Sequence, residues 1–259
     1  LGPVSFDPIE FTKIILMILL AKYFSMRHIE INQIKHIILS GAYVILPVFL
    51  IFLQPDLGSA LIILSLWIIV LIISGIKMRH FLMLIFLASL IFVLGWSSLL
   101  KDYQKERILS FVYPQEDPLG ASWSQNQAKI AIGSGGIWGQ GIGNGSQTQY
   151  GFLPETQTDF IFASIAEETG LIGISFLFLL FSVILLRTYK IILKAKTNFA
   201  RLFIAGFGAV LITQVFINIG MNIGIAPIIG ISLPLVSYGG SSLILTFIGL
   251  GIIQSINLN

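Results

Sequence analysis

The chain contains no cysteine, which excludes disulfides, thiolate metal ligands and cysteine nucleophiles and leaves the redox compartment unreadable. Charge is scarce as well. Only 10% of the 259 residues are charged while 56% are hydrophobic, against about 25% charged in a soluble domain, so there is too little polar surface to cover a globule in water. Histidine is sparse: His28, His36 and His80 show no His-x-x-x-His spacing, and they are expected as solvated or headgroup-binding side chains rather than metal ligands. No glycine-rich stretch is followed by Gly-Lys-Ser/Thr, which excludes a Walker phosphate loop. The serines of Ser237-Tyr-Gly-Gly-Ser-Ser242 have no histidine near them, which argues against a serine hydrolase. A net charge of +3 would suit nucleic acid or the basic loops of a membrane protein, and the positions of the charges decide between them.

Long apolar runs fill most of the chain. Ile37 to Leu53, Leu57 to Ile76, Phe81 to Leu100, Leu202 to Met221 and Leu233 to Ile256 each approach the ~20 residues that a membrane helix needs. Leu171 to Leu186 is short alone, but Phe160 to Ala166 extends it backwards across Glu167, Glu168 and Gly170 as a bent helix. With a first span around Ile9 to Phe24, which carries Glu10 and Lys13, the reading is an all-α multi-pass membrane protein: one bundle of seven transmembrane helices with a long extracytoplasmic loop over 101–158.

Lysine and arginine sort to the cytoplasmic side more strongly than carboxylates sort anywhere. Lys22 to His36, Lys77 to His80 and Arg187 to Arg201 together hold ten of the fifteen Lys/Arg and one acid, Glu30. Placing these on one side puts the N-terminus outside and the C-terminus inside. With no signal sequence and no initiator methionine, Leu1 is expected not to be the biological N-terminus, with an odd number of spans before it.

The segment 101–158 is too long for a plain connection and too rich in Trp, Tyr and short apolar stretches for simple disorder. It is expected to be partly folded and to lie against the membrane surface with its Trp and Tyr near the headgroups. Its centre, Gly133 to Gly145, has seven glycines in thirteen positions. These serve either as tight turns or as points where backbone approaches a phosphate or sugar closely. Ionisable groups near the apolar zone each need a reason. Glu10 and Lys13, three apart, share a helix face and can pair, with Asp7 one turn earlier. Asp56 reads as an N-cap. Asp159 closes the polar loop and opens an apolar helix, where it is either a cap with Thr158 or a base. Glu167 and Glu168 could bind a cation or sit at the interface. The glycines and serines of 237–242 read as small residues that let helices pack closely.

Six collinear stretches, Asp7-Pro-Ile-Glu-Phe-Thr-Lys13, Gln54-Pro-Asp-Leu-Gly58, Ala131-Ile-Gly-Ser-Gly-Gly136, Phe152-Leu-Pro-Glu-Thr-Gln-Thr-Asp-Phe-Ile-Phe162, Ala166-Glu-Glu-Thr-Gly170 and Pro234-Leu-Val-Ser-Tyr-Gly-Gly-Ser-Ser242, resemble the SEDS family of shape, elongation, division and sporulation proteins. Gln147-Thr-Gln149 and Asn218-Ile-Gly-Met221 are more similar to its RodA branch than to its FtsW branch. The resemblance implies a ten-helix fold of which this chain carries helices four to ten. It departs from the family in lacking the first three helices and in reading Asp-Pro-Ile-Glu where Gln-Pro-Ser-Glu is commoner.

The resemblance further implies a peptidoglycan glycosyltransferase that polymerises lipid II at the outer face of the bacterial cytoplasmic membrane, beside a class B penicillin-binding protein. The family's catalytic aspartate falls on Asp159. One carboxylate suffices when the leaving group is a stable pyrophosphate, because the attacking hydroxyl needs a base and the departing anion needs no acid; glycosidases need two. Glu10, Lys13, Gly135, Gly136, Gln147, Gln149, Glu167, Ser237 and Ser241 are candidates for substrate binding or support. The leaving pyrophosphate needs positive charge or donors, which a divalent cation (magnesium or manganese), Lys129 or the loop's N–H groups would supply. No organic cofactor is expected. The rival reading is a transporter or flippase for a lipid-linked precursor, in which Glu10 and Lys13 line a headgroup path and Asp159 is dispensable.

Overall fold

The computed structural model describes residues 7–26, 34–54, 56–98, 100–113 and 121–258; His28 and the 114–120 stretch of the long loop fall outside them. All regular structure among the described residues is helical: α1 (Pro8–Ser25), α2 (Ile34–Leu53), α3 (Leu57–Ser74), α4 (Met78–Ser98), α5 (Asp102–Val112), α6 (Ala121–Gly135), α7 (Ser146–Gln149), α8 (Ile161–Lys194), α9 (Asn198–Ile223) and α10 (Gly240–Leu258). Six of them, α2, α3, α4, α8, α9 and α10, are long and apolar enough to cross a membrane. The helix expected around Ile9 to Phe24 forms as α1, but Glu10, Lys13 and Lys22 lie in its 18 residues, which sets it apart from those six. The long loop is partly folded, through α5, α6 and α7.

Chain contacts separate two compact units. The first comprises Leu1–Ser97, Leu185–Thr213 and Gly240–Asn259, the second Ser98–Ile184 and Gln214–Gly239; α8 and α9 each contribute to both.

In the first unit α1 packs on α2, α3 and α10. Its interior is apolar, with Leu20, Phe24, Ile62, Ile63, Leu66, Leu71, Phe203 and Ile204 almost fully buried. Lipid is as apolar as these side chains, so close packing rather than water release holds such helices together. Small residues permit the approach: a Cβ on Gly206 would sit 3.2 Å from a Leu66 methyl, and one on Gly249 would collide with the Phe207 ring. Asp7 caps α1, accepting from the Ile9 N–H at 2.9 Å, and Asp56 caps α3 as expected, accepting from the Ser59 N–H at 3.0 Å.

Two expectations fail in this unit. His36 and His80 are buried, not solvated; the Tyr23 hydroxyl lies 2.8 Å from His36 Nδ1, so His36 is a satisfied interior residue. The last span begins at Gly240, not Leu233. Between α9 and α10 the chain is irregular, with Leu235 at φ 66°, because Pro234 lacks the N–H a helix would use and the Leu233 N–H is taken by the Ser237 hydroxyl.

Glu10 and Lys13 pair through Lys13 Nζ and Glu10 Oε1, with side chains 14% and 4% exposed. Removing one partner strands the other charge in an apolar interior, at a cost of about 3–5 kcal/mol. Glu10→Ala and Lys13→Ala are each expected to lower the yield of folded protein sharply, and the double substitution to cost less than their sum. Thermal midpoints in detergent for the four members of the cycle check this, and strict additivity would show that the pair carries no coupling.

The second unit is organised by a break in α8. Gly170 takes φ 64°, ψ −160°, a conformation open essentially only to glycine. A broken helix leaves carbonyls before the break and N–H groups after it without partners, and the glycine-rich turn supplies both. The N–H groups of Gln140 and Gly141 donate to the carbonyls of Glu167 and Glu168 at 2.9 and 3.0 Å, while those of Leu171 and Ile172 donate to the carbonyls of Gly136 and Ile137 at 2.9 and 3.3 Å. Backbone lies so close to backbone that a Cβ on Gly139 would strike the Glu168 carbonyl and one on Gly135 the Ala166 carbonyl.

Candidate active site

Asp159 sits two residues before α8, partly exposed, on a stretch of backbone that is fixed at three successive carbonyls. The Gln157 carbonyl accepts from the Tyr238 N–H at 2.8 Å. The Thr158 carbonyl accepts from the Ser237 hydroxyl at 2.7 Å, and the Asp159 carbonyl from Asn218 Nδ2 and Asn222 Nδ2, both at 3.0 Å. Upstream, the Thr158 and Phe160 N–H groups close a tight turn onto the Glu155 carbonyl, with Glu155 itself at φ 45°. Beneath it Phe160, Ala163, Ala128, Ala131 and Leu153 form a small apolar core. The carboxyl group is thereby held on a rigid mount at the head of an apolar helix, with Oδ2 3.5 Å from where a Cβ on Gly230 would lie.

The mount bears on whether Asp159 is a cap. A first-turn donor of α8, the Ala163 N–H, is taken by Asn222 Oδ1 at 3.1 Å, so an asparagine on α9 does the capping there. Asn218 is fully buried and bridges the Asp159 and Ile231 carbonyls at 3.0 and 2.7 Å. Neither asparagine was singled out as a site residue from the sequence, although two amides four residues apart in an otherwise apolar span are a usable signal. Gln125 was missed too: its amide donates to the Met221 and Ala226 carbonyls at 3.0 and 2.9 Å, tying α6 to the end of α9. One turn along α6, the exposed Lys129 extends over Gly224, where an added Cβ would meet its Cε and Nζ.

Ser237 is brought to Asp159, but through the backbone: its hydroxyl accepts from Leu233 N–H and donates to Thr158 O. Its role is loop closure, which corrects the reading of Ser237 as a helix-packing residue. Ser241 lies in the first unit, where its hydroxyl accepts from the Asp7 N–H at 3.1 Å. Of the two readings of the glycine loop, the turn is the one seen at Gly135 and Gly136. Gly135 permits close approach to α8 rather than to a substrate, and Gly136, at φ 53° with open space around it, starts the turn.

Glu167 does not sit at an interface, and both of its carboxyl oxygens are engaged by the start of α7. It is fully buried; Oε1 accepts from the Gln147 N–H at 2.7 Å and the Ser146 hydroxyl at 3.3 Å, and Oε2 from the Thr148 hydroxyl at 2.7 Å and N–H at 3.1 Å. These donors are the start of α7, so a carboxyl group is placed where a helix N-terminus favours one. Gln147 and Gln149 are members of α7, Gln149 exposed and Gln147 with a buried Oε1 that has no hydrogen-bond partner. The N–H groups of Gln140 and Gly141 are committed to α8 and are not free for a pyrophosphate. Among the described residues no group of three or more His, Cys, Asp or Glu side chains is placed to hold a metal ion.

The whole chain, residues 1–259, matches the family model for FtsW, RodA and SpoVE, described as cell cycle protein. The peptidoglycan glycosyltransferase MrdB of Escherichia coli K12 is 40% identical over 257 residues, 99% of this chain and 69% of that protein. Among solved structures, a peptidoglycan synthase complex that coordinates polymerization and crosslinking matches with a TM-score of 0.82 at 36% identity, covering 100% of this chain and 71% of the other. The Thermus thermophilus rod shape determining protein RodA matches at 0.67 and 31%, covering 100% and 67%. A family model that spans the whole chain and a relative 40% identical over nearly all of it show that the chain belongs to the FtsW, RodA and SpoVE family of multi-pass membrane proteins, the SEDS family, on its RodA-like side.

Proposed function

We infer that the chain is a peptidoglycan glycosyltransferase that polymerises lipid II into glycan strands during cell elongation. It works at the outer face of the bacterial cytoplasmic membrane, beside a class B penicillin-binding protein that crosslinks them. The family relationship, the glycosyltransferase relative and the likeness to a synthase complex support the reading. The observation that carries it to a mechanism is the immobilised backbone of 157–159, because a base held in place pays no reorganisation at the moment of reaction.

In the proposed step the Asp159 carboxylate takes the proton of the attacking sugar hydroxyl as that oxygen bonds to the anomeric carbon. The bond from that carbon to the lipid pyrophosphate breaks, and its electron pair leaves with the pyrophosphate. Displacement in one step inverts the centre. Lys129, exposed beside the 224–230 segment that also borders Asp159, is the group proposed to meet the pyrophosphate charge; no step is routed through a cation. Lipid II polymerisation by the full-length protein in detergent, alone and with its crosslinking partner, tests the reading, and absence of polymer under both conditions would overturn it.

The asparagine clamp is expected to matter to the same step. Asn222→Leu keeps the branched shape of the side chain but leaves the Ala163 N–H unpaired and removes one donor from the Asp159 carbonyl, at about 1–3 kcal/mol for a buried unsatisfied group. The expected outcome is a lowered thermal midpoint together with a lower polymerisation rate per folded molecule. A rate per folded molecule equal to the parent's would confine the clamp to stability.

A further inference from the structure

The glycine turn exposes large apolar side chains that neither the fold nor the proposed reaction uses. Ile137 is 60% exposed, Trp138 81% and Ile142 85%. Position along α8 says what faces them. The Gly136 and Ile137 carbonyls bond the N–H groups of Leu171 and Ile172, which are the first residues of the apolar stretch Leu171 to Leu186. The bottom of the turn is thus level with the start of a membrane span. Leu171, Ile172 and Phe176 on that span are themselves 57%, 48% and 61% exposed, so the apolar surface of the turn continues that of the helix. From Ile130 to Pro154 the chain carries no charge, which removes the desolvation cost that would keep such a loop in water. Trp, with an apolar ring and one N–H, favours the boundary between headgroups and acyl chains.

We propose that the turn 136–143 is a membrane anchor whose Ile137, Trp138 and Ile142 insert into the headgroup–acyl boundary of the leaflet where α8 begins. Pairing with α8 across the break makes the anchor rigid, so that it fixes the height of the first half of α8 against the lipid. The inference does not depend on the chemistry assigned to Asp159.

These 259 residues contain no cysteine, so a direct test is available once any cysteine elsewhere in the full-length protein is replaced by serine. In the full-length protein, Trp138→Cys and Ile142→Cys are each labelled with a nitroxide and reconstituted in vesicles of phosphatidylethanolamine and phosphatidylglycerol. Accessibility to oxygen, which concentrates in lipid, is compared with that to a water-soluble nickel chelate. Phe176→Cys provides the lipid reference and Asp102→Cys, at a 97% exposed side chain, the aqueous one. Both turn sites are expected to favour oxygen, as Phe176→Cys does. Preference for nickel, as at Asp102→Cys, overturns the proposal, as does shielding from both reagents. A change from nickel preference to shielding on adding the crosslinking partner would assign the patch to protein contact instead. The unlabelled protein gives an independent reading: brominated lipid should quench Trp138 fluorescence, a component lost in Trp138→Phe, and quenching that is the same in both proteins counts against insertion.

Discussion

Asp159→Asn is expected to leave the protein folded and in the membrane while lowering lipid II polymerisation by at least about 100-fold, the lower end of what a general base contributes. An asparagine accepts a hydrogen bond nearly as well as an aspartate at a helix N-terminus, so a capping role would survive the change and a proton-accepting role would not. The proposed base role predicts the second outcome; Asn222 Oδ1 already serves the Ala163 N–H, and the carbonyls on either side of Asp159's own attachment are held by Asn218, Asn222 and Ser237. Asp56→Asn is the internal control. That residue is a cap, accepting from Ser59 N–H, and should lose at most a few tenths of a kcal/mol, against ~1 kcal/mol for Asp56→Ala. Glycan length on a gel, for matched amounts of each variant with the partner present, reads both. Near-normal strands from Asp159→Asn would make the carboxyl group structural and return weight to the transporter reading.

Features that one segment settles by itself were readable in the sequence. Long apolar runs gave the helices of the spans, Asp56 announced its cap from the turn before α3, and the shortness of Leu171 to Leu186 behind Glu167, Glu168 and Gly170 was enough to expect a bent α8. What could not be read was how the bend is satisfied. Four backbone hydrogen bonds join 136–141 to 167–172, and glycine backbone leaves no side-chain pattern from which such a pairing could be inferred. The mount of Asp159 was hidden for a related reason. The stretch after Arg201 lacks charge, which points to packing and lipid contact, yet Asn218, Asn222 and Ser237 there make the polar contacts that hold Asp159. In an apolar span an amide stands out as much as a charge does in water. His36 misled in the opposite direction, since an imidazole near a charged connection looks solvated until a tyrosine from a neighbouring helix is found against it.

The adjacent acids Glu167 and Glu168 look equivalent in sequence and are expected to respond very differently. Glu167 accepts four hydrogen bonds, two on each oxygen, from Ser146, Gln147 and Thr148, whereas Glu168 contributes its backbone carbonyl to the glycine turn. Glu167→Ala removes the acceptor for two N–H groups and two hydroxyls at a fully buried position. An unsatisfied buried donor costs about 1–3 kcal/mol, so even with partial relaxation the loss is a large share of a folding free energy of ~5–15 kcal/mol. Little folded protein should accumulate in the membrane. Glu167→Gln keeps one acceptor oxygen but turns an NH2 toward donors that need an acceptor, and should fall between the parent and Glu167→Ala. Glu168→Ala preserves its carbonyl and should be mild. Membrane abundance and thermal midpoint rank the variants, and a Glu167→Ala protein as stable as Glu168→Ala would mean that α7 is held by something other than this carboxyl group. The same comparison reaches the active site, since α7 leads through Leu153, whose N–H donates to the Gln147 carbonyl, to the turn that carries Asp159. Loosening α7 should therefore reduce polymerisation even in the fraction of Glu167→Gln that folds.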